Sequence, residues 1–167
     1  SGTVGDHGIA VLSEREGISF STTLMSDCAP LSGLVAEMLK VSSQIRCMRD
    51  PTRGGLVTSL NEIAEQSRVS IRIDEEKIPV REEVMSACEM LGLDPLHVAN
   101  EGKLVAVVSP EDAAKVLSAM RVHSLGGRAA VIGDVSAEHP GRVVMKTFLG
   151  TSRIVDMPTG DLLPRIC

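Results

Sequence analysis

The sequence predicts a layered α/β domain, and three observations predict it. Apolar residues recur at helical spacing in several stretches, and those stretches alternate with short Val- and Ile-rich runs of strand length. The chain has 167 residues, 43% of them hydrophobic. That length suits one domain able to bury roughly two thirds of the surface its unfolded chain would expose. With no Trp, no Tyr and two Phe, the core has to be aliphatic.

Taken in order, PLSGLVAEMLK places Leu31, Leu34, Val35, Met38 and Leu39 on one face of a helix, with Ser26 or Asp27 upstream as its cap. After Gly54 and Gly55, the residues Leu56, Leu60, Ile63 and Ala64 repeat that spacing and predict a second helix. VSIRID, from Val69 to Asp74, alternates apolar and polar as a half-buried strand does. An amphipathic helix is expected over 82–91. KLVAVVS, from Lys103, reads as a short buried strand, and it feeds SPEDAAKVLSAM. There Ser109 takes the cap position, Pro110 the first helical position, and Glu111 and Asp112 the first turn. AAVIGDV and RVVMKTF, parted by the polar SAEHPG, predict two more strands as a hairpin or near neighbours. Helices interleaved with four or more strands give a layered arrangement. The domain is expected over 1–156. The remaining MPTGDLLPRIC, residues 157–167 with two prolines and a glycine, reads as a tail.

The composition excludes several functions. A net charge of −5 with scattered Lys and Arg, and the near absence of aromatic side chains, argue against nucleic-acid binding. There is no apolar run near membrane-spanning length and no charged-then-apolar leader, so neither a membrane span nor a signal peptide is expected. The four cysteines, Cys28, Cys47, Cys88 and Cys167, form no CxxC pair and no zinc spacing, which makes a reducing, cytoplasmic setting the simplest one. His97, His123 and His139 have no partner at metal-ligand spacing, so no metal site is assigned. The chain begins at SGTVGDHG without an initiator Met, which suggests a piece of a longer protein.

Three short motifs carry chemistry. MRDPTRGGL puts Asp50, Arg53, Gly54 and Gly55 in the turn before a helix. Bare backbone N–H groups there suit phosphate, Asp50 suits magnesium or a hydroxyl, and Arg53 suits phosphate oxygens. The Lys and Ser/Thr of a Walker loop are missing, and a Gly-Gly turn with an Asp-Pro start is more often plain loop chemistry. ANEGKL places Glu101 before a buried strand and beside a glycine, as a general base or as a solvated turn residue. GDHG offers His7, either for a substrate or as a capping and packing residue.

The last residue, Cys167, stands behind Pro164 and Arg165. A terminal thiol has no packing task, so it is either incidental or presented to something. Prenylation requires its Cys four from the end, where Pro164 stands, and no resolving Cys lies near in sequence for redox sensing. A tail of this length spans at most about 36 to 40 Å, at roughly 3.3 to 3.6 Å per residue.

Together SGTVGDHG, MRDPTRGGL, ANEGKL and above all the terminal LPRIC resemble the HypE family of hydrogenase maturation proteins. These are relatives of the aminoimidazole ribonucleotide synthetases and selenophosphate synthetases. The match runs along essentially the whole chain and corresponds to the C-terminal half of that family. The resemblance implies an α+β fold of that superfamily's C-terminal type. This is a mixed sheet layered with helices (α/β/α), partly like a ferredoxin fold, with a flexible C-terminal tail.

The resemblance also implies a reaction. Cys167 would receive a carbamoyl group from the carbamoyltransferase HypF. ATP-dependent dehydration would convert it to a thiocyanate, and the cyano group would pass through a HypC–HypD complex to the iron of NiFe hydrogenase. Glu101 would be the base; Asp50, Arg53, Gly54 and Gly55 would line the nucleotide side, and His7 the cleft. ATP and Mg would be bound mainly by an N-terminal half that this chain lacks and that forms a homodimer. Two rivals stand beside this reading: another enzyme of the superfamily acting on a small amide or selenide, and a non-catalytic docking and carrier module.

Overall fold

In the computed structural model, residues 1–18 and 24–157 are described. The expected tail therefore lies outside the described residues beyond Met157, and Cys167 with it. The element order begins α1 (Asp6–Glu16), α2 (Ser32–Val41), β1 (Ile45–Arg49), α3 (Gly55–Ser67) and β2 (Ser70–Asp74). It continues α4 (Glu82–Leu91), β3 (Val105–Val108), α5 (Pro110–Val122), β4 (Gly133–Ser136), β5 (Arg142–Lys146) and β6 (Ser152–Ile154). Short 3-10 turns occupy Glu75–Lys77 and Pro95–His97.

The strands form two sheets among the described residues. One is mixed, in the order β4-β2-β5-β6, with β2 antiparallel to β4 and parallel to β5. The other pairs β1 with β3 antiparallel. This is the expected α+β layering of helices on a mixed sheet. α3 covers the mixed sheet, burying Leu56, Leu60, Ile63 and Ala64 against Ile71, Ile73, Val143 and Met145. α2 and α5 bury Leu34, Met38, Val116 and Met120 beside the β1–β3 pair, together with Leu104. α1 and α4 share a third cluster of Ile9, Val84, Ala87, Cys88 and Val98. Beyond β6, Val155 is 2% exposed; its N–H donates to Val143 O at 2.9 Å and its carbonyl accepts from Asn61 Nδ2 at 3.0 Å.

Several expectations need correction. Leu39 is 54% exposed, because the buried stripe of α2 is narrow and centred on Leu34 and Met38, both 0% exposed. Neither Ser26 nor Asp27 caps that helix: Leu31 holds the cap position without a side-chain hydrogen bond. Ser109 does precede α5, but its hydroxyl makes no capping bond. Of the two arrangements expected for the strands from AAVIGDV and RVVMKTF, the hairpin is excluded, because β2 lies between them; they are near neighbours that flank β2. Their connection crosses the start of β2, where the Gly141 N–H donates to Val69 O at 2.8 Å.

Three elements gave no clear signal in the sequence. In α1 the apolar stripe is short, and Gly8, a poor helix former, sits inside it. A Cβ there would lie 2.4 Å from Val98 Cγ1, so close packing explains the glycine. In β1 the register shifts between Ile45 and Cys47, which breaks period-2 alternation and leaves Arg46 and Arg49 exposed. β6 has three residues, all exposed.

Burial pushes the Cys88 thiol up from 9.0 to about 11, with the charge of Asp94 adding to it. Because the folded value is the raised one, the buried thiol's contribution to stability is complete below pH 9 and is lost as pH rises toward 11. Iodoacetamide at pH 8, followed by peptide mapping, is expected to alkylate exposed Cys28 and to spare Cys88 until the fold is opened with denaturant.

Candidate active site: a cleft between two polar loops

The two motif loops meet. Val98 and Ala99 run buried against the start of α1, where the Gly8 N–H donates to Ala99 O at 3.0 Å. Asn100 follows at 0% exposure. Its Oδ1 accepts from the Gly5 N–H at 2.8 Å, and its Nδ2 donates to Pro51 O at 3.0 Å and Val98 O at 2.9 Å. Its backbone N–H donates to Pro51 O at 3.1 Å. The loop after β1 is thereby held against the segment that presents Glu101.

Between them lies a cleft of about 710 Å³, lined by Asp50, Arg53 and Glu101 together with Arg49, Thr58 and Glu62 among others. Asp50 and Arg53 are exposed and Glu101 is half-buried. Arg49 and Glu62 form an ion pair across the cleft wall. Arg53 and the carboxylate of Glu101 have no hydrogen-bond or ion-pair partner among the described residues, and Asp50 Oδ2 accepts only a long 3.3 Å bond from Thr52 Oγ1. Two carboxylates and a guanidinium therefore face one space, none of them in an ion pair among the described residues. Such a set can bind phosphate, contribute one carboxylate to a divalent ion and accept a proton.

Gly54 and Gly55 are not among the cleft-lining residues. Gly55 has φ +63°, and a Cβ on it would lie 2.5 Å from Leu96 O and 2.6 Å from Val98 O. The start of α3 thus packs directly on the stretch leading to Asn100. Gly54, at φ +68°, caps α3 in the left-handed conformation. His7 is also outside the lining; its Nδ1 lies 2.8 Å from Ser26 Oγ. Among the described residues no group of three or more His, Cys, Asp or Glu could hold a metal ion.

Asn100, Thr58 and Glu62 had not been singled out by the sequence. Thr58 Oγ1 is buried without a hydrogen-bond partner among the described residues, beside the cleft. Asn100 follows Ala99 in the ANEGKL motif, but two of its side-chain partners, Pro51 and Gly5, lie 49 and 95 residues away, and no local pattern reports them.

The model of the family described as AIR synthase related protein, C-terminal domain, matches residues 1–146. The chain belongs to that family. Along its whole length it is 59% identical to the carbamoyl dehydratase HypE of Rhizobium leguminosarum bv. viciae, covering 48% of that protein. The fold is similar to a solved structure of the hydrogenase maturation protein HypE in complex with ATP. The TM-score is 0.93 at 44% identity, over 99% of this chain and 51% of that one. It is similar also to the HypE chain of a crystallised HypE–HypF complex, with a TM-score of 0.90 at 50% identity, over 94% and 51% of the two chains. This AIR synthase related C-terminal domain spans about half the length of the curated relatives it matches. None of its described helices is long and apolar enough to cross a membrane.

Three substitutions test this arrangement. Asn100→Ala leaves the buried Gly5 N–H and Val98 O without their partner, while Pro51 O keeps the backbone N–H of residue 100; it is expected to lower stability by about 3 kcal/mol, measured by urea unfolding of the full-length protein. Gly55→Ala is expected to cost about 2 to 4 kcal/mol, from left-handed strain plus collision with two carbonyls. Gly92→Ala, at φ +68° with open space around it, is expected to cost about 1 kcal/mol in the same assay.

Proposed function

We propose that this chain is the C-terminal half of an ATP-dependent carbamoyl dehydratase of NiFe hydrogenase maturation. In this reading Cys167, on a tail formed by residues 157–167, carries the substrate. The observation that carries the reading is the convergence of Asp50, Arg53 and Glu101 on one cleft, none of them in an ion pair among the described residues. Identity of 59% along the whole chain to a protein named carbamoyl dehydratase supports it.

The reaction starts from a thiocarbamate, S–C(=O)–NH₂, on the Cys167 sulfur. An amide oxygen is a poor leaving group, so it attacks the γ-phosphorus of ATP; the bond from that phosphorus to the β–γ bridging oxygen breaks with its electron pair onto ADP, and one nitrogen proton passes to solvent, giving S–C(=NH)–O–PO₃²⁻. Glu101 then takes the remaining nitrogen proton. The N–H electron pair becomes the third C–N bond and the C–O bond breaks with its pair onto phosphate, leaving S–C≡N. Glu101 has to come within about 2.6 to 3.2 Å of that nitrogen. Arg53 offers a free guanidinium to phosphate oxygens that gain charge as the C–O bond breaks. Asp50 is this half's share of the magnesium ligands. Gly54 and Gly55, outside the cleft lining, would act indirectly in this reading, by letting the start of α3 pack against the segment that leads to Glu101.

The other half of such a protein completes the ATP and magnesium site and forms the homodimer. This half alone is therefore expected to turn over little ATP. Partners in this reading are the carbamoyltransferase HypF, which loads the thiol, and a HypC–HypD complex, which takes the cyano group. The setting is the cytoplasm.

Intact-mass spectrometry of the full-length protein tests the assignment, after incubation with HypF, carbamoyl phosphate and ATP. Carbamoylation adds about 43 Da, and dehydration through the proton removal assigned to Glu101 then removes about 18 Da. Wild type is expected to reach the smaller adduct, Cys167→Ala to carry none, and Glu101→Gln to stop at the larger one. An adduct retained in Cys167→Ala would sink the carrier assignment.

A further inference from the structure

The reading of Glu101 as a base requires that its carboxylate be held in place, and Asn100 fixes the chain on one side only. The other side is held by a segment that no motif singled out. Asp27 lies in the stretch before α2, and its side chain is 5% exposed. Both of its carboxylate oxygens are used on the Glu101 loop. Oδ1 accepts the backbone N–H of Glu101 at 3.1 Å, and Oδ2 accepts Nζ of Lys103 at 2.9 Å, with the Lys103 side chain 14% exposed. Between those two residues, Gly102 meets the Asp27 backbone directly: a Cβ on it would lie 1.7 Å from Asp27 O.

The Asp27 segment is itself anchored. Ser26 Oγ lies 2.8 Å from His7 Nδ1 on α1 and accepts the Cys28 N–H at 3.1 Å. Position 27 is thus fastened to α1 on one flank and to the Glu101 loop on the other.

We propose that Asp27 is a positioning residue for Glu101, a carboxylate strap that fixes the backbone of the base from the side opposite Asn100. This inference rests on the assignment of Glu101 as the base. The residue type follows from the partners. A carboxylate can accept from an amide and an ammonium together, and charge-assisted bonds of this kind are short and strong. Its negative charge is compensated by Lys103, so the strap fixes the backbone without setting an unpaired anion beside the base. With the loop pinned on both sides, only the Glu101 side-chain torsions remain to place the acceptor oxygen. A displacement of about 1 Å at a reacting group can cost roughly a hundredfold in rate.

The test uses the full-length protein, loaded by HypF and carbamoyl phosphate and then mixed with ATP, with the two adducts followed over time by intact mass. Asp27→Ala is expected to be carbamoylated at the wild-type rate and to dehydrate about 10- to 100-fold more slowly. Asp27→Asn keeps an acceptor for the Glu101 N–H and is expected to recover part of that loss, a rescue that general damage to the fold would not give. Where Asp27→Ala fails to fold, Asp27→Asn and Lys103→Gln decide, since each breaks the ion pair and is expected to slow dehydration alone. Wild-type dehydration in all three variants while Glu101→Gln stalls overturns the strap and leaves the base assignment standing. Wild-type dehydration in Glu101→Gln removes the base assignment and this inference with it.

Discussion

The buried amide of Asn100 ties together three stretches that are remote in sequence, the turn at Gly5, the loop at Pro51 and its own segment at Val98, and the cleft depends on that tie. A primary amide suits the task because it donates twice and accepts at the same point. At 0% exposure its polar atoms have no water to fall back on, so the three contacts are obligatory once the core closes. An aliphatic side chain could fill the volume but would orient nothing. The cleft wall inherits its shape from this one residue: Asp50 precedes Pro51, Glu101 follows Asn100, and the two loops cannot separate without leaving buried polar groups unpaired.

Apolar packing supplies the platform on which this polar junction is built. Three clusters divide the molecule: α3 on the mixed sheet, α2 and α5 beside the β1–β3 pair, and α1 with α4. The site lies where the elements of these clusters adjoin, since β1 and α3 border the cleft and α1 holds the Glu101 segment from behind. Gly8 and Gly55 allow backbone to approach backbone there, at distances that a Cβ would prevent. Gly92 and Gly141, in outer turns, have open space around them by contrast.

Local periodicity made much of the fold legible. α3, α4 and α5 carry the signals that define helices, with whole apolar faces, Gly54 before α3 and Pro110 opening α5. Ile71 and Ile73 alternate with Arg72, as a sheet with one covered face requires. Where the signal failed, a long-range demand had displaced it: Gly8 weakens α1 to let it touch Val98, and the bulge in β1 shifts its alternation. The β4–β5 connection looks local, yet β2 occupies the slot between its strands. The candidate site divides in the same way. Asp50, Arg53 and Glu101 were visible as chemically unusual residues in two separate loops. Their meeting was not visible, because it is encoded by Asn100, and the clamp on the Glu101 loop is encoded by Asp27; the partners of both are remote.

The anchoring of Val155 sets a boundary on everything that follows it. Its backbone is bonded to β5 and to α3, so the last stretch of chain leaves from a fixed point on the domain surface. Whatever path that stretch takes, its contour keeps Cys167 within roughly 40 Å of Val155. A single thiol confined to such a volume is present at a local concentration on the order of millimolar. Under the proposed role, docking of the loaded terminus into the cleft is a unimolecular event. The site can bind its substrate weakly, release it readily to a partner and still be occupied for much of the time.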